Sequence, residues 1–115
     1  MNKVTLPWPP KQLSPNARVH WAVKAKAAKI YRADCFNLAK QAGVKFEEEG
    51  KIHLFVDFYC PDKRARDSDN LLSSMKSAID GLADALKVND SRFVIHPFVR
   101  DEIIKGGQVV ITISS

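Results

Sequence analysis

The sequence predicts an α+β fold, a two-layer sandwich in which a small mixed β-sheet carries two packed helices in the order β-α-β-α-β-β. Three observations predict it. Ile52, Leu54, Val56, Phe58 and Cys60 alternate with His53, Phe55, Asp57 and Tyr59, the period of a strand with one strongly apolar face. Leu72, Met75, Ile79, Leu82 and Leu86 recur at spacings of 3, 4, 3 and 4, the period of an amphipathic helix. A third stretch, Trp21 to Ala42, reads as a long helix that Gly43 stops.

Taken in order, residues 3–7 (KVTLP) form a short strand ended by the Pro7-Trp8-Pro9-Pro10 cluster, because three prolines in four residues exclude helix and central strand. Residues 11–20 (KQLSPNARVH) continue as a loop. Its Ser14, Asn16, Arg18 and His20, with two tryptophans nearby, either merely connect or also grip a nucleic-acid backbone or stack on a base. In the long helix the expected apolar stripe is Val23, Ala27, Tyr31, Cys35, Leu38 and Ala42, with Lys26, Lys29 and Lys40 on other faces. Such lysines are most often a solvated face, but their lack of acidic partners four residues away makes phosphate contact more plausible than usual. Residues 44–50 (VKFEEEG) are a charged connector with solvent-facing glutamates. His53 and Asp57 are expected on the strand surface as non-ligands. The central helix ends near Leu86 or Lys87, and residues 88–91 (VNDS) form a turn. Residues 92–100 (RFVIHPFVR) give a strand in which Pro97 marks an edge or bulge, with His96 a strand-edge histidine. Residues 101–107 are expected to close a hairpin through Gly106-Gly107 onto a last strand around Val109, Ile111 and Ile113.

At 115 residues the chain is expected to be one domain, residues 1–115, with an ordinary 45% hydrophobic and 27% charged content. No apolar run reaches membrane-spanning length, and no signal-peptide pattern is seen. Cys35 and Cys60 are too few and too far apart for a metal pattern, so both are expected to be reduced, buried thiols, as suits the cytoplasm. The net charge of +5 is unevenly spread: residues 1–43 hold eight Lys or Arg against one acid, Asp34. Such a basic half beside clustered acids fits a polyanion-binding protein with a local metal site.

The chemistry concentrates between Asp62 and Lys76, DKRARDSDNLLSSMK. Asp67 and Asp69 stand where a strand hands over to a helix, behind Lys63, Arg64 and Arg66 and before Asn70. In extended chain, residues two apart point the same way, roughly 7 Å apart. Two such acids beside three cations suit a divalent metal next to a phosphate. A capping role for Ser68 or Asp69, with Asp67 favouring the helix dipole, accounts for the same residues. Asp90 lies beyond the helix, whose length is roughly 24 Å at 1.5 Å per residue. It joins the other acids only if the chain returns, or if the site is shared between subunits.

Four motifs in order, Leu6-Pro7-Trp8-Pro9-Pro10, Arg66-Asp67-Ser68-Asp69-Asn70-Leu71, Asn89-Asp90-Ser91 and Lys105-Gly106-Gly107, give the chain over nearly its whole length a sequence that resembles the RusA family of Holliday-junction resolvases. The resemblance implies a small homodimeric endonuclease of phage or prophage type, dependent on Mg2+, that nicks four-way DNA junctions in recombination and repair. It implies that Asp67, Asp69 and Asp90 bind the metal, that Lys76 assists at the phosphate, and that Arg66 takes the basic position before the first acid. Two departures stand out. Asn89 replaces an acid usual before Asp90, and Lys76 follows Asp69 by seven residues where the family's lysine follows by four. Asp80, four residues beyond Lys76, either orients that ammonium or is a solvated acid. Lys63, Arg64, Arg66, Arg18, Lys24, Lys26 and Lys29 are the expected DNA contacts. The alternatives are a non-catalytic basic DNA-binding protein and a nuclease for other branched DNA.

Overall fold

The computed structural model describes residues 2–115. The expected two-layer α+β architecture is found: a four-stranded mixed sheet with helices packed on it. Strand β1 is Lys3–Pro7, helix α1 Trp21–Ala42, and strand β2 Ile52–Tyr59. The central helix is two pieces, α2 (Ser68–Ser73) and α3 (Lys76–Leu86), and strands β3 (Phe93–Arg100) and β4 (Gln108–Ser114) follow. Single 3-10 turns occupy Lys11–Leu13 and Asp90–Arg92.

The alternation in β2 is kept residue by residue. Ile52, Leu54, Val56 and Phe58 are fully buried with Val4, Leu6, Val109 and Ile111, and the helical layer supplies Tyr31, Cys35 and Leu82, with Met75 from between α2 and α3, on the other side. Each such side chain contributes about 1.5–3 kcal/mol on burial, against about 0–1 kcal/mol for an exposed ion pair, so sheet–helix packing sets the fold. Both cysteines are buried free thiols, and burial pushes Cys35 up to about 12. Gly81 is required where α3 meets α1: a Cβ there would lie 2.3 Å from the Arg32 carbonyl oxygen. Arg32 then clasps Asp84 of α3 through two hydrogen bonds of 2.9 and 3.1 Å.

Three expectations are corrected. The β3–β4 hairpin does not form, because the sheet order is β1-β4-β2-β3 and β2 occupies the place between them. Entering from α3, β3 runs parallel to β2, while β4 runs antiparallel to both β1 and β2. Residues 101–107 therefore cross the end of β2, anchored where the Ile104 N–H donates to the Cys60 carbonyl (3.1 Å). Seven residues reach about 23 Å, ample for two strand spacings of about 4.8 Å. Gly107, at φ +76°, lies flat under Trp8, where a Cβ would sit 2.8 Å from the indole. On the outer strand β3, Pro97 removes an N–H that no neighbour needs.

The central helix is also broken. Ser73 and Ser74 each turn their hydroxyl back to the carbonyl four residues earlier, Asp69 (3.0 Å) and Asn70 (3.1 Å). Such side chains compete with the backbone ladder, and the Met75 N–H tightens to the Leu72 carbonyl (2.9 Å) before α3 begins. Buried Met75 marks the break, and the Tyr31 hydroxyl braces it, donating to the Pro7 carbonyl (2.7 Å) and lying 3.4 Å from Met75 Sδ. In α1, finally, Tyr31 and Cys35 are buried and Ala27 and Leu38 pack against the core as expected, but Val23 and Ala42 are exposed and Ala39 is the third buried residue. The first turns of α1 overhang the core.

Candidate nuclease site

Asp67 is extended (φ −87°, ψ 126°) and caps α2, its Oδ1 accepting the Asp69 N–H at 2.8 Å. The cap is thus Asp67 itself, in place of Ser68 or Asp69. Because Asp69 is already helical, the two acids do not face one way as strand residues would. Asp69 lines a cavity of about 420 Å3 with Ser73, Lys76 and Asp90, over a floor that includes Leu72 and Phe93. Asp67 lines a neighbouring cavity with Trp8, Asn16, Arg64 and Arg66.

Lys76, on the Asp69 cavity, bridges two further acids. Its Nζ donates to Asp80 Oδ1 at 2.8 Å and to Asp90 Oδ2 at 3.3 Å. The Asp80 hydrogen bond, opposed by desolvation and aided by the Asp90 hydrogen bond, raises the lysine above its ordinary value. Both pairs are open to water, with 71% of the lysine side chain exposed, so they orient the ammonium more than they stabilise the fold. Asp90 arrives because the chain returns: Lys87 closes α3 in a left-handed conformation (φ 58°), and the turn after it runs back. Asn89 caps that turn, its Oδ1 accepting the Ser91 N–H at 2.9 Å. The residue that departs from the resembled pattern thus presents the acid beside it. Asp80 has the orienting contact, and Asn89's capping role is a feature the sequence reading missed, although Asn two residues before an N–H is a known Asx-turn signal.

Arg66 is committed within the chain. Nη1 donates to Asp62 Oδ1 at 2.8 Å and to the Asp62 and Arg64 carbonyls at 3.3 and 3.2 Å. Its guanidinium lies 5.5 Å from the Trp8 ring centroid, and only 17% of the side chain is exposed. This hydrogen bond, aided by the Arg64 N–H, lowers Asp62 to about 2. Arg66 therefore clamps the loop that carries Asp67. Lys63 and Arg64 are exposed beside it, as are Arg18, Lys26 and Lys29, whereas Lys24 is half-buried. His53 and His96 stack on each other on the sheet (Nδ1···Nε2 2.9 Å), apart from these acids.

Among the described residues no three of His, Cys, Asp and Glu gather closely enough to hold a metal ion by themselves. The donor set still fits a hard cation of magnesium type. Such an ion needs only one or two carboxylates, keeping waters and taking substrate phosphate oxygens for the rest. Asp69 and Asp90 are two carboxylates on one cavity. No helix among the described residues is long and apolar enough to cross a membrane.

The sequence matches no protein-family model. It is 47% identical over 117 residues to an uncharacterized protein of Xylella fastidiosa strain Temecula1, covering 99% of this chain and 76% of that one, so the two belong to one family. It is 29% identical over 116 residues to the crossover junction endodeoxyribonuclease RusA of Escherichia coli K12, covering 96% of this chain and 92% of the relative. The protein of the same name from Enterobacteria phage 82 is 28% identical over the same span.

Proposed function

We propose that this chain is a RusA-type enzyme, a magnesium-dependent, structure-selective endonuclease that nicks four-way DNA junctions by phosphodiester hydrolysis. The observation that carries the reading is the Lys76 ammonium, held between Asp80 and Asp90 on the cavity that Asp69 lines. The full-length likeness to crossover junction endodeoxyribonucleases supports the same reading.

In this reading Asp69 and Asp90 hold the ion, while Asp67, which lines the neighbouring cavity, caps α2 through the Asp69 N–H and so positions Asp69. The chemistry that bound magnesium supplies is Lewis acidity at the phosphate and a lowered pKa for the attacking water. Lys76 stays protonated, because its two carboxylate partners favour the charged form. As a point charge it offsets the negative charge that grows on the phosphate and leaving oxygen. Asp80 keeps the lysine from swinging away. Lys63, Arg64, Arg18, Lys26 and Lys29 attract the DNA backbone, while Arg66 serves them by fixing the loop.

Resolution of a junction requires two symmetric nicks, and each chain offers one such cavity, so the working form is a C2 homodimer in the cytoplasm. The Asp67 cap favours a second reading, a DNA-binding protein whose acids are structural. That reading gives no reason for the Lys76–Asp90 contact. Incubation of a synthetic junction with and without Mg2+ separates the two, and a flap substrate alongside it separates junctions from other branched DNA.

A further inference from the structure

A second cavity, of about 430 Å3, lies beside the acidic one and shares Ser73 and Lys76 with it. It opens between α1 and the α2–α3 break. Leu13, Ala25 and Ala28 make apolar walls, Lys24 and Lys76 bring cations to it, and Asp80, already paired with Lys76, brings one carboxylate, which among the described residues leaves Lys24 as the cation free for an occupant. Trp21, the first residue of α1, lines the same cavity with 76% of its surface exposed. Its indole has a tilted neighbour in His20, with ring centroids 5.5 Å apart. Ser77, also on this cavity, has a buried hydroxyl with no hydrogen-bond partner among the described residues.

Folding alone gives no reason for this set. A tryptophan left in water forgoes the largest apolar burial available to any side chain, and an unpartnered buried hydroxyl costs stability. An occupant that is flat, aromatic and anionic uses both the indole and Lys24. A purely apolar ligand would leave Lys24 idle, and an acidic peptide would leave the indole idle. The volume is in the range of small-ligand pockets. The charge of the surrounding chain agrees, since residues 1–43 hold eight cations against one acid.

We propose that this cavity takes one nucleotide of the DNA strand next to the cleaved phosphate, its base stacked on Trp21 and its phosphate beside Lys24. The inference rests on the nuclease reading, because the shared Lys76 puts that nucleotide next to the acidic cavity. A base inside a continuous duplex has both faces covered by its neighbours. At a branch point, or in a single strand, a face is free for the indole. Trp21 therefore favours branched over linear DNA.

The test is binding in metal-free buffer to a four-way junction, a single strand and a linear duplex, with wild type, Trp21→Ala and Trp21→Phe, each also followed by thermal melting. Trp21→Ala is expected to weaken junction and single-strand binding about tenfold with duplex binding and melting unchanged, and Trp21→Phe to recover most of the loss. Unchanged junction affinity in Trp21→Ala overturns the proposal, and so does an equal loss on all three substrates. A parallel Mg2+ cleavage assay on wild type keeps the two claims apart. Binding without cleavage sinks the nuclease reading, while the Trp21 comparison still decides the stacking.

Discussion

Lys76 Nζ stands 3.3 Å from Asp90 Oδ2, joining the first residue of α3 to the first residue of the turn beyond that helix's far end. The lysine side chain reaches along α3 to Asp80, and after the left-handed Lys87 the chain brings Asp90 to the same ammonium. One pair of residues thus folds a linear spacing into a site.

Asp69→Asn and Asp90→Asn are each expected to abolish Mg2+-dependent cleavage while leaving junction affinity unchanged or slightly higher, since the carboxylates hold metal and the cations hold DNA. Asp67→Asn is expected to be milder on cleavage, because amide oxygen can still cap α2. Single-turnover cleavage beside metal-free binding is the measurement. Near wild-type cleavage in Asp69→Asn removes that residue from the metal.

Lys76→Ala is expected to lower the cleavage rate far more than junction affinity. The Asp80 hydrogen bond raises the lysine, so Asp80→Asn should bring it down toward its ordinary value. The alkaline fall in the rate then begins at a lower pH than in wild type. An alkaline limb that stays in place in Asp80→Asn would show that Lys76 does not titrate in the reaction.

Asp62 concerns pH and stability. Its carboxyl is held down to about 2 in the folded chain by the Arg66 hydrogen bond, against an ordinary value of 3.8. A depressed acid stabilises fully above its unfolded value and loses that contribution as pH falls through the folded one. The difference in melting temperature between wild type and Asp62→Asn should therefore be constant from pH 5 to 8 and shrink between about 4 and 2. A gap that persists undiminished at pH 2 would mean that the clamp does not depend on the charge of Asp62.

The parts of the fold legible in the sequence are those whose signal is local. The β2 alternation, the proline end of β1 and the Gly43 stop of α1 each depend on residues in sequence contact, and each stands as expected. Strand pairing is different: Gly106-Gly107 looks the same whether it joins neighbours or carries the chain across the end of β2. The helix break escaped because Leu72, Met75 and Ile79 keep their apolar spacing through it, while the cause is two serine hydroxyls. At the site, Asp69, Asp90 and Lys76 were legible as residue types, and Asp80 from its four-residue step. That Asp67 and Asp69 face different cavities was not, because it depends on where extended chain becomes helix.

Gly81→Ala tests the contact of α1 with α3. Alanine gains about 1 kcal/mol of helix propensity over glycine. Against this, a Cβ set 2.3 Å from the Arg32 carbonyl forces two packed backbones apart, a strain of about 1–3 kcal/mol. Net destabilisation is expected in urea unfolding, and a more stable variant would contradict the close approach.

Lys26 and Lys29 are exposed on α1. If they neutralise phosphates, replacing both with alanine flattens the slope of log K against log[salt] by about 0.9 per lysine. An unchanged slope returns them to a solvated face.

The central claim is that the cavity of Asp69, Lys76 and Asp90 hydrolyses DNA at four-way junctions. The most direct measurement is nicking of a synthetic four-way junction by wild type and Asp69→Asn, with Mg2+ or with chelator, beside a linear duplex of the same sequence. The account predicts paired symmetric nicks in the junction from wild type with Mg2+ alone, and none in the duplex. Junction binding without nicking by wild type in Mg2+, or nicking that Asp69→Asn retains, would contradict it.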